Sequence, residues 1–491
     1  MTTGLTPPPA PARARPLPMV GQKVSQKNIP VWLAIVAVSL PMFMATLDNL
    51  VMTSALPIIR VRLDAGIDEL EWFVNAYSLC FATFMLMAAA LGDRFGRRTI
   101  FVAGIAIFTI ASTLSALSTQ PWQLIATRAL QGVGASALLP LSLTLLVGSV
   151  PRARRALAIG VWGGISGLGI ALGPLIGGAV LQGWDWQAIF WINVPVGILA
   201  IPLVLAALPN SRGARVKADV LGVLLVGLGV LGVVYGLVRG NAAGWSSVEV
   251  LGALVSGAVV LMIFVLWQRR AAEPLLPLRL FRDRSFSVAN AVGISFSFGI
   301  YGSIFILIQF LQIVQGKTPL AAGVETMPWT LAPMVIAPLA GLYGSRVGVR
   351  NLLMVGLALE SIAMFWLAAE LKPDVQYSAL VGPFLCAGIG MGLIFAPSTT
   401  ALLTNITELD RAKASGTYAT LREIGVALGI AVLTSVFTGA GGQLTPTGYV
   451  HAAIPAITVG AFVLLGSALL AALLPSRRAA AGLAGRRGPL I

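Results

Sequence analysis

Apolar runs of about 18 to 25 residues alternate with short polar turns along the whole chain, and each run is long enough to cross a hydrocarbon core of about 30 Å as a helix. Strand-like alternation is absent. The pattern predicts fourteen spans, near 31–55, 71–91, 99–117, 121–147, 156–181, 187–208, 219–238, 248–267, 286–313, 322–344, 351–370, 376–403, 414–438 and 451–474. In lipid every backbone amide needs an internal partner, so runs of this length are helices. The expected fold is therefore an all-α polytopic membrane protein.

Composition agrees: 57% of the 491 residues are hydrophobic and 10% charged, with a mean hydropathy of +0.89. Charge then orients the spans. Of 33 basic residues, 26 fall in the N-terminal tail, alternate loops and the C-terminal tail, against five on the opposite side and two within spans. By the positive-inside rule both termini are expected to be cytoplasmic, in a cell membrane. The net charge of +15 thus belongs to topology and anionic headgroups, and no nucleic acid partner is expected. The tail carrying "PPPAPARARPLP" reads as disordered, and no cleavable signal peptide is expected before the first span.

Catalytic chemistry finds little footing. Cys80 and Cys386 fall inside spans, His451 is the one histidine, and no G-x-S-x-G occurs. Neither a metal nor a cofactor is expected, nor an enzyme. The "GKT" at 316–318 has Leu311 where a phosphate loop needs glycine, and it lies on the non-cytoplasmic side.

Two local patterns carry more. "AALGDRFGRR" after the second span and "GLYGSRVGVR" after the tenth form a duplicated turn. Gly96 and Gly348 permit positive φ, Arg94, Arg97 and Arg346 can cap helix carbonyls, and Asp93 can pair with a helix N-terminus or an arginine of a neighbouring loop. A plain basic loop that only sets topology is the competing reading. The fifth span, "GVWGGISGLGIALGPLIGG", places Gly160, Gly169, Gly173, Pro174, Gly177 and Gly178 so that one face is stripped of side chains. Such a helix packs closely and can bend.

With "LDNLVMTSALP" in the first span, "RALQGVGAS" in the fourth and "ASGTYATLREIGVALGIAVL" in the thirteenth, these residues resemble the major facilitator superfamily, specifically its fourteen-span drug:proton antiporter group of multidrug efflux transporters. The resemblance runs from about residue 31 to 475, and the fifth-span glycine-proline pattern is its most specific element. It departs at Ala89, where glycine is usual, and at Ser345, where an acid is common. It implies a major facilitator fold: six-helix bundles over 31–208 and 286–475, two inserted helices within 209–285, and basic tails at 1–30 and 476–491. Alternating access by rocking of the bundles follows from that fold, with Asp93, Arg94, Gly96, Arg97, Arg346 and Gly348 as a conformational gate.

Asp48 sits in an apolar run where an ionised carboxylate costs about 2.5 to 3.5 kcal/mol. Spans one and four line the cavity in the resembled fold, so Arg128, the one arginine of span four, is the expected partner. Two readings stand: a proton carrier whose pair opens during transport, or a structural ion pair or outer-mouth carboxylate. Glu325 is the second proton-coupling candidate, with a solvated rim position as its alternative. Glu360 reads as structural, and the role of Glu423 stays open. Trp72, Tyr77, Phe81, Tyr301 and Phe305, with Arg422, are candidate walls of a substrate cavity; lipid-facing filler is the competing reading for each aromatic. The function so implied is secondary, proton-driven export of amphipathic small molecules, cations included, by a monomer in the bilayer. A nutrient importer on the same fold is the alternative.

Overall fold

The computed structural model describes residues 30–151, 154–213, 219–407 and 410–475, so the two expected tails, apart from Pro30, lie outside the described residues. Every regular element among those residues is helical. Thirteen helical stretches are long and apolar enough to cross a membrane, and the fifth expected span is the helix Arg155–Gly183, apolar over Leu172–Gly183.

The first bundle comprises α1 (Val31–Leu63), α2 (Ile67–Phe95), α3 (Arg97–Ala116), α4 (Pro121–Ser136), α5 (Leu138–Ser149), α6 (Arg155–Gly183), α7 (Ala188–Trp191) and α8 (Asn193–Ala207). Two further helices follow, α9 (Val220–Ala243) and α10 (Val248–Arg270). The second bundle is α11 (Arg284–Gln309), α12 (Pro319–Glu325), α13 (Met327–Val347), α14 (Val349–Glu370), α15 (Tyr377–Leu403), α16 (Arg411–Gly439) and α17 (Pro446–Ala471). Helices overrun the apolar runs that announce them: α1 continues to Leu63 and α2 begins at Ile67. Hydropathy marks only the part that meets hydrocarbon, whereas backbone hydrogen bonding carries the helix into the interface. The fourth expected span is one crossing stretch, Pro121–Ser149, in which Pro140 has no N–H to donate and interrupts the hydrogen-bond ladder at Ala137, between α4 and α5.

The two bundles repeat one packing scheme. α1 lies on α6 as α11 lies on α16, α3 on α8 as α14 on α17, and α2 on α4 as α13 on α15. The duplicated turn repeats in backbone geometry as well. Gly96 has φ +116° and Gly348 φ +92°, and each donates its N–H four residues back, to Gly92 and Gly344, at 2.9 Å. Both residues adopt a region L side chains avoid, and a Cβ on Gly96 would stand 2.5 Å from Asn210 Oδ1. Gly96→Ala is therefore expected to lower stability by about 1 to 3 kcal/mol, the cost of a sparsely populated backbone conformation. An unshifted thermal unfolding midpoint would contradict this.

Between the bundles, α2 packs on α16 and α6 on α12 and α13. At the end opposite the basic turns, Gln312 Nε2 donates to Ser54 O at 2.9 Å. The inserted α9 leans on both α2 and α16, while α10 packs on α9. Arg239 of α9 pairs with Asp68 at 3.3 Å and Glu249 at 3.2 Å, and Asn241 donates to Ser435 O, so α9 is pinned to both halves.

Candidate functional site

Asp48 leaves α1 toward the interior of the first bundle. Its Oδ2 meets Arg128 Nη1 of α4 at 2.5 Å, with the arginine side chain 0% and the aspartate 2% exposed. Its Oδ1 accepts from Gln131 Nε2 and from Asn193 Nδ2, both at 2.8 Å. Gln131 Oε1 accepts in turn from Arg128 Nη1 at 2.7 Å, and Arg128 Nε donates to the Phe73 carbonyl at 3.0 Å. Ser112 of α3 accepts from Asn193 and Gln131 and donates to the Phe190 carbonyl at 3.1 Å. The Tyr77 ring lies under the guanidinium, 4.5 Å from its carbon.

The Asp48 carboxylate of α1 thus accepts from α4 and α8, and α2, α3 and α7 complete the network around those donors. Opposite charge and two charge-assisted hydrogen bonds offset the desolvation of a fully buried ion pair. Gln131, Asn193 and Ser112 were not singled out from sequence. Gln131 lies three positions after Arg128 and so shares its helix face, which is a usable signal; nothing local marks Asn193 or Ser112.

Thr46 and Leu50, on roughly the opposite side of α1 from Asp48 by the 100° turn per residue, and Val51, only about 60° from it, rest on the glycine face of α6. A Cβ on Gly173 would lie 2.6 Å from Leu50 Cβ, and one on Gly177 would lie 3.0 Å from Val51 Cγ1. Gly169 would crowd Thr46. Further along, Gly178 faces Leu320, with 2.5 Å from its Cβ position to Leu320 Cα, and Gly323 abuts the Pro174 carbonyl. The same glycine-proline helix therefore touches α1 in its own bundle and α12 in the other. Gly160 lies in α6, but its surroundings are outside the described residues.

The other candidates spread out. Glu325 Oε1 accepts from Lys317 Nζ at 2.6 Å, at the end opposite the basic turns. Asp93 pairs with Arg97 of its own turn at 2.7 Å, the four-residue separation putting both on one side of the turn; Arg152 and Arg215 of the neighbouring loops lie outside the described residues. Arg97 N–H donates to Ser211 O, and Gly213 N–H to Asp93 O, which sews the turn to the segment after α8. Arg94 stacks over Phe95 and Arg346 over Tyr343.

Trp72 packs on Tyr235 of α9 instead of a cavity, since α9 covers that face of α2. Tyr77 is taken up under Arg128, Phe81 stacks on Tyr77, and Phe305 is buried in the core. Arg422 lies 5.8 Å from the rings of both Phe395 and Tyr418. Tyr301 does line a pocket between the bundles.

Residues 38–430 match the profile of the Major Facilitator Superfamily. The chain belongs to that superfamily.

Among similar superfamily members is the multidrug resistance protein Stp of Mycobacterium tuberculosis, 36% identical over 82% of this chain and 75% of that protein. The tetracenomycin C resistance and export protein of Streptomyces glaucescens is 32% identical over 87% of this chain and 79% of its own length. The methylenomycin A resistance protein of Bacillus subtilis is 33% identical over 90% and 92%. In fold, the facilitator is similar to a bacterial homologue of the human lysosomal transporter Spinster, solved inward-facing and unoccupied, with a TM-score of 0.62 at 16% identity over 94% of this chain and 99% of that one. This facilitator is thus an integral, multi-pass membrane protein of a transporter family.

Proposed function

We propose that this facilitator exports amphipathic small molecules in exchange for protons, with both termini and the basic turns on the cytoplasmic side. The observation that carries the reading is the position of α1, held on one side by the Asp48 carboxylate network and seated on the other against the glycine face of α6. While Asp48 is ionised, Arg128, Gln131 and Asn193 fix α1. A proton on the carboxyl cancels the attraction to Arg128 and turns one acceptor oxygen into a donor facing other donors. The hold on α1 then loosens, and the smooth surface of α6 lets it slide or tilt. Because α6 also touches α12, that movement reaches the second bundle.

Relatives named for drug and antibiotic resistance support the export direction and a drug-like cargo. Energetics allow it: for an uncharged cargo, one proton moving through about 100 mV releases about 2.3 kcal/mol, enough for about a fifty-fold gradient at 1.4 kcal/mol per tenfold, whereas a monovalent cation exchanged for one proton moves no net charge and is driven by the pH difference alone. The test is accumulation of ethidium in everted vesicles that carry the protein. Ethidium is expected to concentrate inside when the lumen is acidified and to leak back on adding a protonophore. Accumulation indifferent to the protonophore and to the imposed pH difference would refute proton exchange.

A further inference from the structure

Asn193 opens α8 just past a joint in the chain. Pro195 has no N–H for the Trp191 carbonyl, and the helix is interrupted at Ile192, between α7 and α8. Asn193 is 1% exposed and spends both amide hydrogens, Nδ2 donating to Asp48 Oδ1 at 2.8 Å and to Ser112 Oγ at 2.9 Å. The Ser112 hydroxyl in turn donates to the Phe190 carbonyl of α7 at 3.1 Å, beside the joint. A chain of hydrogen bonds therefore runs from the Asp48 carboxylate through α8 and α3 to α7.

An ionised carboxylate only accepts, and among the described residues every group that reaches Asp48 donates: Arg128 Nη1, Gln131 Nε2 and Asn193 Nδ2. Arg128 and the Tyr77 phenol are the ionisable groups that face it, with Glu423 of α16 near Tyr77; α5, α7 and α8 carry none, and α6 none beyond Arg155 at its start. Oδ2 faces the guanidinium, so an incoming proton goes to Oδ1. There its hydrogen meets two N–H groups and no acceptor, and one of the two amides has to turn. Gln131 Oε1 accepts from Arg128 Nη1 at 2.7 Å, so turning Gln131 would set an NH2 against a guanidinium. Asn193 Oδ1 accepts from no group among the described residues. Half a turn about its Cβ–Cγ bond exchanges Oδ1 with Nδ2 and brings the oxygen within reach of both Asp48 Oδ1 and Ser112 Oγ.

We infer that Asn193 is a positioning residue that reports the protonation of Asp48 to α7, an assignment that rests on the proton-exchange reading above. With Asp48 ionised, the amide donates to it and the Ser112 hydrogen stays on Phe190. A proton taken by Asp48 from water on the open side turns the amide. Its oxygen then accepts from Asp48 Oδ1–H, and the Ser112 hydrogen leaves the Phe190 carbonyl for the same oxygen. The joint between α7 and α8 loses its tie to α3 just as α1 loses its hold on Arg128.

Infrared difference spectra of the purified full-length protein in lipid, acid minus neutral pH, test this in protein carrying carbon-13 at the side-chain carbonyl of asparagine. A carboxylic acid C=O band is expected on acidification, and Asp48→Asn abolishes it. A label-sensitive asparagine C=O band is expected to move to lower frequency at acid pH, because the oxygen gains two donors, and to be static in Asp48→Asn. An amide that stays put only loses an anionic acceptor, and its band moves to higher frequency instead. Asn193→Leu should lose the labelled band and shift the acid band to higher frequency, since the carboxyl hydrogen has lost its acceptor. If Asn193→Leu fails to fold, Asn193→Gln, which keeps an amide but not the label, decides whose band it is. A labelled band that is unmoved, moves to higher frequency or persists in the Asn193 variants overturns the assignment, and the Asp48 acid band then leaves the proton reading standing. Absence of any acid band sensitive to Asp48→Asn overturns both.

Discussion

Asp48→Asn is expected to abolish export driven by a pH gradient in proteoliposomes. Asparagine keeps one oxygen for Gln131 and Asn193 but removes the group that exchanges a proton and the charge that neutralises Arg128. Breaking a buried pair from one side costs about 3 to 5 kcal/mol, so the single variant should also unfold at lower temperature. That loss alone could explain a dead transporter. The double variant Asp48→Asn with Arg128→Gln separates the two causes, because it leaves no unpaired charge in the bundle. Much of the stability is expected to return, while coupling stays lost. Gradient-driven export at the wild-type rate in either protein would remove Asp48 from the proton path.

The second large effect is expected at Gly173, where the Cβ position already lies 2.6 Å from Leu50 Cβ. Gly173→Leu forces a whole side chain between α6 and α1. Overpacking of this kind costs about 1 to 3 kcal/mol, which a large membrane bundle tolerates, but it wedges apart the two surfaces that must slide. Protein should still reach the membrane while export falls to background. Gly183→Ala, on the same helix with nothing within 4 Å of its Cβ position, is the control and should export normally. Equal export by Gly173→Leu and Gly183→Ala would show that close approach of α1 and α6 is unnecessary.

These expectations depend on features of unequal visibility. Asp48 and Arg128 stand out in any reading of the chain, since a charge in an apolar run is rare and needs a partner, and candidate partners are few. The helix face bearing Gly169, Gly173 and Gly177 is visible through spacing alone, though not the identity of the helix laid on it. Gln131, Asn193 and Ser112 are hidden because neutral polar side chains are common in membrane helices and reveal a role only through what they touch. The aromatic residues mislead for a related reason. Trp72 and Phe305 are equally at home against lipid, a ligand or another helix, and the structure turns one to α9 and buries the other.

The sequence by itself determined the solvent, the number and approximate limits of the spans, the duplicated turn and which buried charges required an answer. Those properties follow from local physics: the length of an apolar run, the cost of a lone charge in hydrocarbon and the backbone freedom of glycine. Only the tertiary structure decided that Asp48 points into its own bundle with three further polar groups around it, and that α6 links α1 to α12. Periodicity tells which residues share a face of a helix, but the bilayer is as apolar as most of the side chains in it. What each face meets is therefore settled by shape and by the pairing of polar atoms across many helices at once.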